Sequence, residues 1–517
     1  MADERRRHHH ISPSGEPAED SPLLREEDDQ HHHHHRQRRH RADRSPAGAH
    51  VPKARDGAVV VNMLCVIIFV ATSATGFIAI PFTRLAEDVL CRRYYGARGG
   101  GGPIDEGLCK EDWIQGRLAF VLAIQSALEA VAGLLAAFPW GLAADRIGRR
   151  PVFAVALGGM VLALFWMMLV LYLPDVLPIE LVWLGSASPF VGGGQAVLVG
   201  VVLSMITDET NEDERAIAFM RLHAGSLCGN LMSPALSSLL MEKQGPWPPI
   251  WVAVALLITS AVSFLFLPET LRSKSKRVSS PSRTEPAGLK SRVSHTISTF
   301  RESLSILKSP SLILLLLTAL GSMPITHSTL QFMAQFISKR YGIKLFQTGY
   351  VQSAYGVAQI VQALVILPFL SKLLLKSSIP AVFRAADEHH RDLSLSLYSY
   401  VILFFGILVL GFSPSLACFI FGLVLMALGS GFGSFARSLM SLYVDPEHRS
   451  RLFSLVGMVE VVGSVYAQPM LAGLFALGMK LGGGWIGLPY YGLSVLVAIC
   501  GSLLLFVRLP KNTVSEP

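Results

Sequence analysis

Twelve stretches of this chain are apolar over about the length that crosses a lipid bilayer, and that feature removes most folds from consideration. A helix needs about 20 mostly apolar residues to traverse ~30 Å of hydrocarbon. Such stretches lie at roughly 59–82, 118–140, 152–173, 181–206, 216–240, 249–267, 311–336, 347–370, 394–412, 415–440, 452–479 and 487–508. A segment in lipid must satisfy its own backbone hydrogen bonds, so each is predicted to be helical. The expected fold class is an all-α membrane protein with twelve transmembrane helices. A mean hydropathy of +0.45 and a charged fraction of 16% agree, because soluble domains carry about 25% charged residues.

Lysine and arginine in the connecting loops set the orientation of such a chain. With both termini in the cytoplasm, 32 of the 45 basic residues fall in inside segments, 11 in outside loops and two, Arg221 and Arg437, within helices. The net charge of +8 therefore reflects topology and gives no reason to expect nucleic acid as a partner. The predicted organisation is a polar cytoplasmic tail over 1–57, a six-helix half over 58–270, a cytoplasmic linker over 271–310, a second six-helix half over 311–509 and a short tail over 510–517. The linker's "LRSKSKRVSSPSRTEPAGLKSR" has the composition of a segment without a core. Two halves joined in this way suggest parallel repeats around a central site.

The joint between spans two and three, "GLAADRIGRRPV" (141–152), packs unusual charge into a short connection. Gly141, Asp145, Arg146, Gly148, Arg149 and Arg150, followed by Pro151, resemble the signature of the major facilitator superfamily. The glycines are expected to let the helices turn tightly, and Pro151 to open span three where a missing N–H is harmless. The arginines hold the loop in the cytoplasm and can pair with Asp145 or with lipid phosphate. The resemblance implies that Asp145 braces the bundle in one of its alternating states. A positively charged topology anchor is the plainer reading, and neither makes the loop a substrate site. The blocks "TRLAEDVLCRRYYG", "IDEGLCK", "QFISKRYG", "RSLMSLYVDPEHRSRLFSLVG" and "LGGGWIGLP" look like a fungal branch of this superfamily, related to the animal proton-coupled folate and haem carriers. That resemblance implies transport and names no cargo.

Polar residues inside the spans test a transporter against a mere anchor. Span two carries Gln125 and Glu129, span seven His327, Gln331 and Gln335, and span eleven Glu460, Ser464 and Gln468, each set at four-residue steps on one helical face. Span eight carries Gln352, Tyr355, Gln359 and Gln362 three or four apart, and Gln195 in span four is a further cavity-lining candidate. Polar groups in hydrocarbon are costly unless they face a bundle interior or a wet cavity. Hydrogen bonding between helices accounts for any one of them; four aligned stripes together favour a shared cavity. Gly192–Gly194, Gly429, Gly431 and Gly433 are expected to be sites of close packing or bending.

Glu129 stands ~18 Å along its helix from Arg117 at ~1.5 Å per residue, near mid-bilayer. A carboxyl exposed alternately to two sides can bind a proton on one and release it on the other. Glu129 is therefore the first candidate for proton coupling, and Glu460, nine residues past Arg451, the second. A permanently protonated hydrogen-bonder or a direct substrate contact would use Glu129 equally well. Arg221 and Arg437 are expected to snorkel to headgroups, His223 to bond between helices, and Arg84 and Glu87 to be interfacial.

Of six cysteines, Cys91 and Cys109 flank the first outside loop, and a disulfide between them is expected from the oxidising compartment. No Asn-x-Ser/Thr sequon occurs. The tail has no apolar core of a signal peptide; its run His31–His35 reads as disordered polar tail before metal site. "EDSPLL" has acidic-dileucine spacing, leaving the plasma and vacuolar membranes both open. No His-Glu-x-x-His, Gly-x-Ser-x-Gly or phosphate-binding loop is present, so no enzyme, cofactor or metal centre is expected. The expected activity is secondary active transport of a small solute by a monomer in membrane lipid, with protons as the coupling ion. A receptor or scaffold with a transporter fold is the alternative.

Overall fold

The computed structural model describes residues 54–96, 105–210, 212–267, 309–374, 388–444 and 449–509. The expected polar tail up to residue 53, the linker up to residue 308 and the residues from 510 onward lie outside them. The described residues form helices and short turns, with no strand among them. In chain order the long helices are α1 (Ala54–Gly96), α2 (Asp112–Ile147), α3 (Arg149–Tyr172), α4 (Gly194–Glu209), α5 (Glu212–Gln244), α6 (Trp247–Leu265), α7 (Pro310–Tyr341), α8 (Leu345–Leu370), α9 (Glu388–Phe412), α10 (Leu416–Tyr443), α11 (Arg449–Leu481) and α12 (Leu488–Leu505).

Among the described residues eleven helical stretches are long and apolar enough to cross a membrane, α4 counted together with the 3-10 segment before it as Ile179–Glu209. The difference from twelve is α5, helical over 33 residues but carrying Arg221, His223, Asn230 and several serines. Arg221, His223 and Asn230 are exposed, whereas the Leu231–Ser237 stretch meets neighbouring helices. Ser353 on α8 donates to the Leu231 carbonyl at 2.7 Å and accepts from the Ala235 N–H at 3.1 Å, while Ser237 donates to the Phe77 carbonyl on α1 at 3.4 Å. A helix flanked by others has less lipid to satisfy. Several helices outrun their apolar windows, α1 reaching 43 residues and α2 36. Hydrophobicity marks the lipid crossing, whereas the helix continues until a cap or turn stops it.

Span four is not one helix. A 3-10 segment, Ile179–Phe190, leads into three glycines at φ +92°, +86° and +62°, the last of which, Gly194, opens α4. A Cβ on Gly192 would lie 2.2 Å from the Ala156 Cα, so both the left-handed backbone and the close approach to α3 require glycine. Pro324 and its neighbours form a π turn, Pro324–Ser328, within α7, and Gln362–Ile366 form another in α8.

The two main cores are nearly separate in sequence. One contains buried side chains from Val60 to Leu267, packed around Phe153 and Phe264. The other runs from Leu312 to Val507 around Phe336, Phe475 and Tyr490, joined by Ala119 and Ala123 of α2. A disulfide ties Cys91 of α1 to Cys109 in the short turn Glu106–Lys110. The end of the bundle holding this bond is the disulfide end; the opposite end of α2 is the Asp145 end.

Candidate functional site

The polar side chains of three helices meet inside the bundle. Gln331 of α7 donates through its amide to the Ser126 hydroxyl of α2 at 2.5 Å, and its carbonyl accepts from Gln468 of α11 at 2.7 Å. Glu129 follows Ser126 by three residues, on a neighbouring face of α2 and ~4.5 Å further from the disulfide end. It stands at the middle of its helix, seventeen residues after Asp112 and eighteen before Ile147. Its side chain is exposed, and no hydrogen bond or ion pair joins it to another described residue. The arrangement offers a solute hydroxyl, amide and carboxyl groups in one place.

Other stripe residues are placed differently. Gln125 is buried, its amide 3.8 Å from the Met167 sulfur, while its backbone carbonyl accepts from Ser186 at 3.0 Å; it packs into the first core rather than a shared cavity. Tyr355 is buried and accepts a 2.9 Å bond from Gln359. Gln362 is buried with Ser430 of α10 at 3.4 Å, and Gln352 is half-buried. Ser464 donates to its own helix at Val461. Gln195 is exposed at the start of α4. The His327 side chain lies outside the described residues; its backbone sits in the π turn of α7.

Glu460 is buried with both oxygens on Arg437 of α10, at 2.7 and 2.9 Å. Arg437, expected to snorkel, gives its guanidinium to Glu460 while its side chain stays exposed. The guanidinium offsets part of the desolvation of the buried carboxylate. The pair was missed in the sequence because its members are 23 residues apart on different helices.

At the Asp145 end, Gly148 makes the turn between α2 and α3 at φ +116°. Gly141 does not; it lies inside α2, where it lines a cavity of about 260 Å³ with Asp145, Arg149, Gly200 and Ser204. Asp145 and Arg146 are exposed. Arg149 pairs with Asp208 at the end of α4, and Arg150 is half-buried.

At the disulfide end the chain is closed by polar contacts. Gln335 of α7 donates to the Gln115 carbonyl at 2.6 Å, Lys339 pairs with Asp112 at 2.5 Å, and Tyr350 of α8 bonds Glu242 of α5 at 3.2 Å. Glu87, expected to be interfacial, is fully buried. Among the described residues no group of three or more His, Cys, Asp or Glu is placed to hold a metal ion.

A family model described as "Major Facilitator Superfamily" matches residues 64–386, more than half of the chain. The chain is 29% identical over 483 residues to the protein named "MFS efflux pump atnC" of Emericella nidulans, covering 90% of this chain and 92% of that one. It is 27% identical to "Efflux pump ustT" of Aspergillus flavus, covering 86% and 88%. Among solved structures it resembles the D-xylose-proton symporter, with TM-score 0.60 and 12% identity over 89% of this chain and 99% of that one.

Proposed function

Because the chain belongs to the Major Facilitator Superfamily, and is thus a multi-pass membrane transporter rather than an enzyme, we propose that it exports a small organic solute by alternating access, driven by a proton gradient. The supporting observation is the Ser126–Gln331–Gln468 bridge with the exposed Glu129 beside it. It draws on helices from both expected halves, 58–270 and 311–509, which are the bodies that rock. Glu129 carries the proton, and the bridge supplies neutral donors and acceptors to the solute. The direction of export follows the relatives named efflux pumps. Loop charge supports cytoplasmic termini and an outward-facing disulfide end. The kinship with proton-coupled folate and haem carriers rests on the sequence blocks alone.

The test begins with metabolites retained or released by cells with and without the gene. Compounds that differ are offered to purified protein in sealed vesicles, with and without a pH gradient. Gradient-driven accumulation by the wild type and its loss in Glu129→Gln, with exchange preserved, is the expected pattern. Ligand binding without any accumulation indicates a receptor, and normal pH dependence in Glu129→Gln removes Glu129 from coupling.

A further inference from the structure

The turn Glu106–Lys110 does more than connect α1 to α2. Glu106 accepts from the Leu345 N–H at 2.8 Å, and this N–H belongs to the first turn of α8, far along the chain. The same carboxylate lies 3.4 Å from both Arg84 of α1 and Lys110. Lys110 in turn sits 2.6 Å from the fully buried Glu87, and its backbone carbonyl accepts from Lys339 of α7. Gln115 completes the set. It donates to Glu87 at 2.6 Å and to the Cys109 carbonyl at 3.0 Å, and its own carbonyl accepts from Gln335. One turn of helix thus holds two helices of the second core by their ends.

Two features make this more than surface packing. A first-turn N–H of a helix has no partner within that helix, so Glu106 supplies a bond and a negative charge where α8 can use both. Every charged member is also largely buried: the side chains of Arg84, Lys110 and Glu106 are 15%, 12% and 13% exposed, and that of Glu87 1%. Charges that deep are costly to bury unless they hold a defined geometry. The geometry is held by Cys109, which is bonded to Cys91 and lies immediately before Lys110. Without that bond the turn is tethered to α1 by ion pairs and by the Tyr95 hydroxyl, which donates to the Leu108 carbonyl at 3.2 Å.

We propose that the Glu106–Lys110 turn is a latch that keeps the disulfide end closed, with Glu106 as its hook on Leu345 and the Cys91–Cys109 bond setting its position. Glu106 is a positioning residue that acts through α8. The latch rests on alternating access for its consequence in transport, but its existence can be read without any solute. Hydrogen exchange of the full protein in lipid nanodiscs reports the Leu345 amide and peptides at both ends.

Glu106→Ala and Cys91→Ser/Cys109→Ser are each expected to speed exchange of the 343–350 segment by about tenfold, the scale of one lost charge-assisted hydrogen bond. Glu106→Gln, which keeps an acceptor oxygen, restores much of the protection. As the closed state loses population, peptides at the Asp145 end, such as 200–210, become more protected. Faster exchange confined to residues 84–118, with 343–350 unchanged, overturns the latch and leaves the turn a local part of the first core. Loosening of 343–350 with no change at the Asp145 end keeps the latch and counts against the alternating-access reading.

Discussion

Gly158 and Gly159 are neighbours in α3 and are expected to answer the same substitution with opposite signs. A Cβ on Gly158 meets nothing within 4 Å, whereas one on Gly159 falls 2.4 Å from the Val191 carbonyl oxygen and 3.2 Å from that of Ser188. Both carbonyls belong to the end of the 3-10 segment, where the left-handed glycines that follow fix the backbone path. A peptide oxygen moves only with its backbone, so α3 and span four must separate by at least 0.6 Å to bring the contact to 3.0 Å. Overpacking of this kind costs ~1–3 kcal/mol. Alanine recovers ~0.5–1 kcal/mol of helix propensity at either position. The propensity gain cancels in the comparison, and the two variants differ by the clash alone, ~1–3 kcal/mol. Tryptophan fluorescence of purified protein on heating reads the difference as midpoints separated by about 1–3 °C, Gly158→Ala above wild type and Gly159→Ala below it. Equal midpoints for the two variants would refute the seating of span four on α3 and the position of its break.

Arg437→Ala leaves the Glu460 carboxylate buried without its cation, so it is expected to destabilise more than Glu460→Gln. The difference is about 1–3 kcal/mol, towards the low end because the arginine side chain is 49% exposed. The double variant Arg437→Met/Glu460→Leu recovers towards wild type, and a double-mutant cycle on thermal midpoints checks both statements. Asp145→Asn is expected to leave the midpoint within ~0.5 kcal/mol of wild type, because Asp145 is exposed. Its transport rate falls if Asp145 braces another state, and an unchanged rate in vesicles returns the loop to a topology anchor.

The helices and their order were legible because lipid imposes one demand on every spanning residue, and a run of apolar side chains records it directly. What the sequence concealed was direction around each helix. Steps of four residues advance ~400°, so a stripe drifts ~40° at each step. Glu460 and Gln468 therefore part company, one to Arg437 and the other to Gln331. Gln125 turns into the first core and Ser126, its neighbour, reaches α7. The break in span four was visible as three glycines, yet only the backbone shows that Gly192 lies against Ala156. Likewise, Arg84 and Glu87 look like ordinary helix-end charges until Lys110 and Gln115 are brought over them by the turn.

Alternating access is tested most directly by distances across the two ends of one molecule. Cysteines at Trp113 and Leu481, both exposed, mark the disulfide end, and cysteines at Ile147 and Phe453 mark the Asp145 end. The free Cys65, Cys228, Cys418 and Cys500 are replaced, and Cys91–Cys109 stays paired. Pulsed electron resonance on spin labels in nanodiscs, recorded at several pH values, then reads each pair. The expected result is two populations at each end that trade places, the disulfide end opening as the Asp145 end closes. A single unchanging distance at both ends, or both ends opening together, contradicts it.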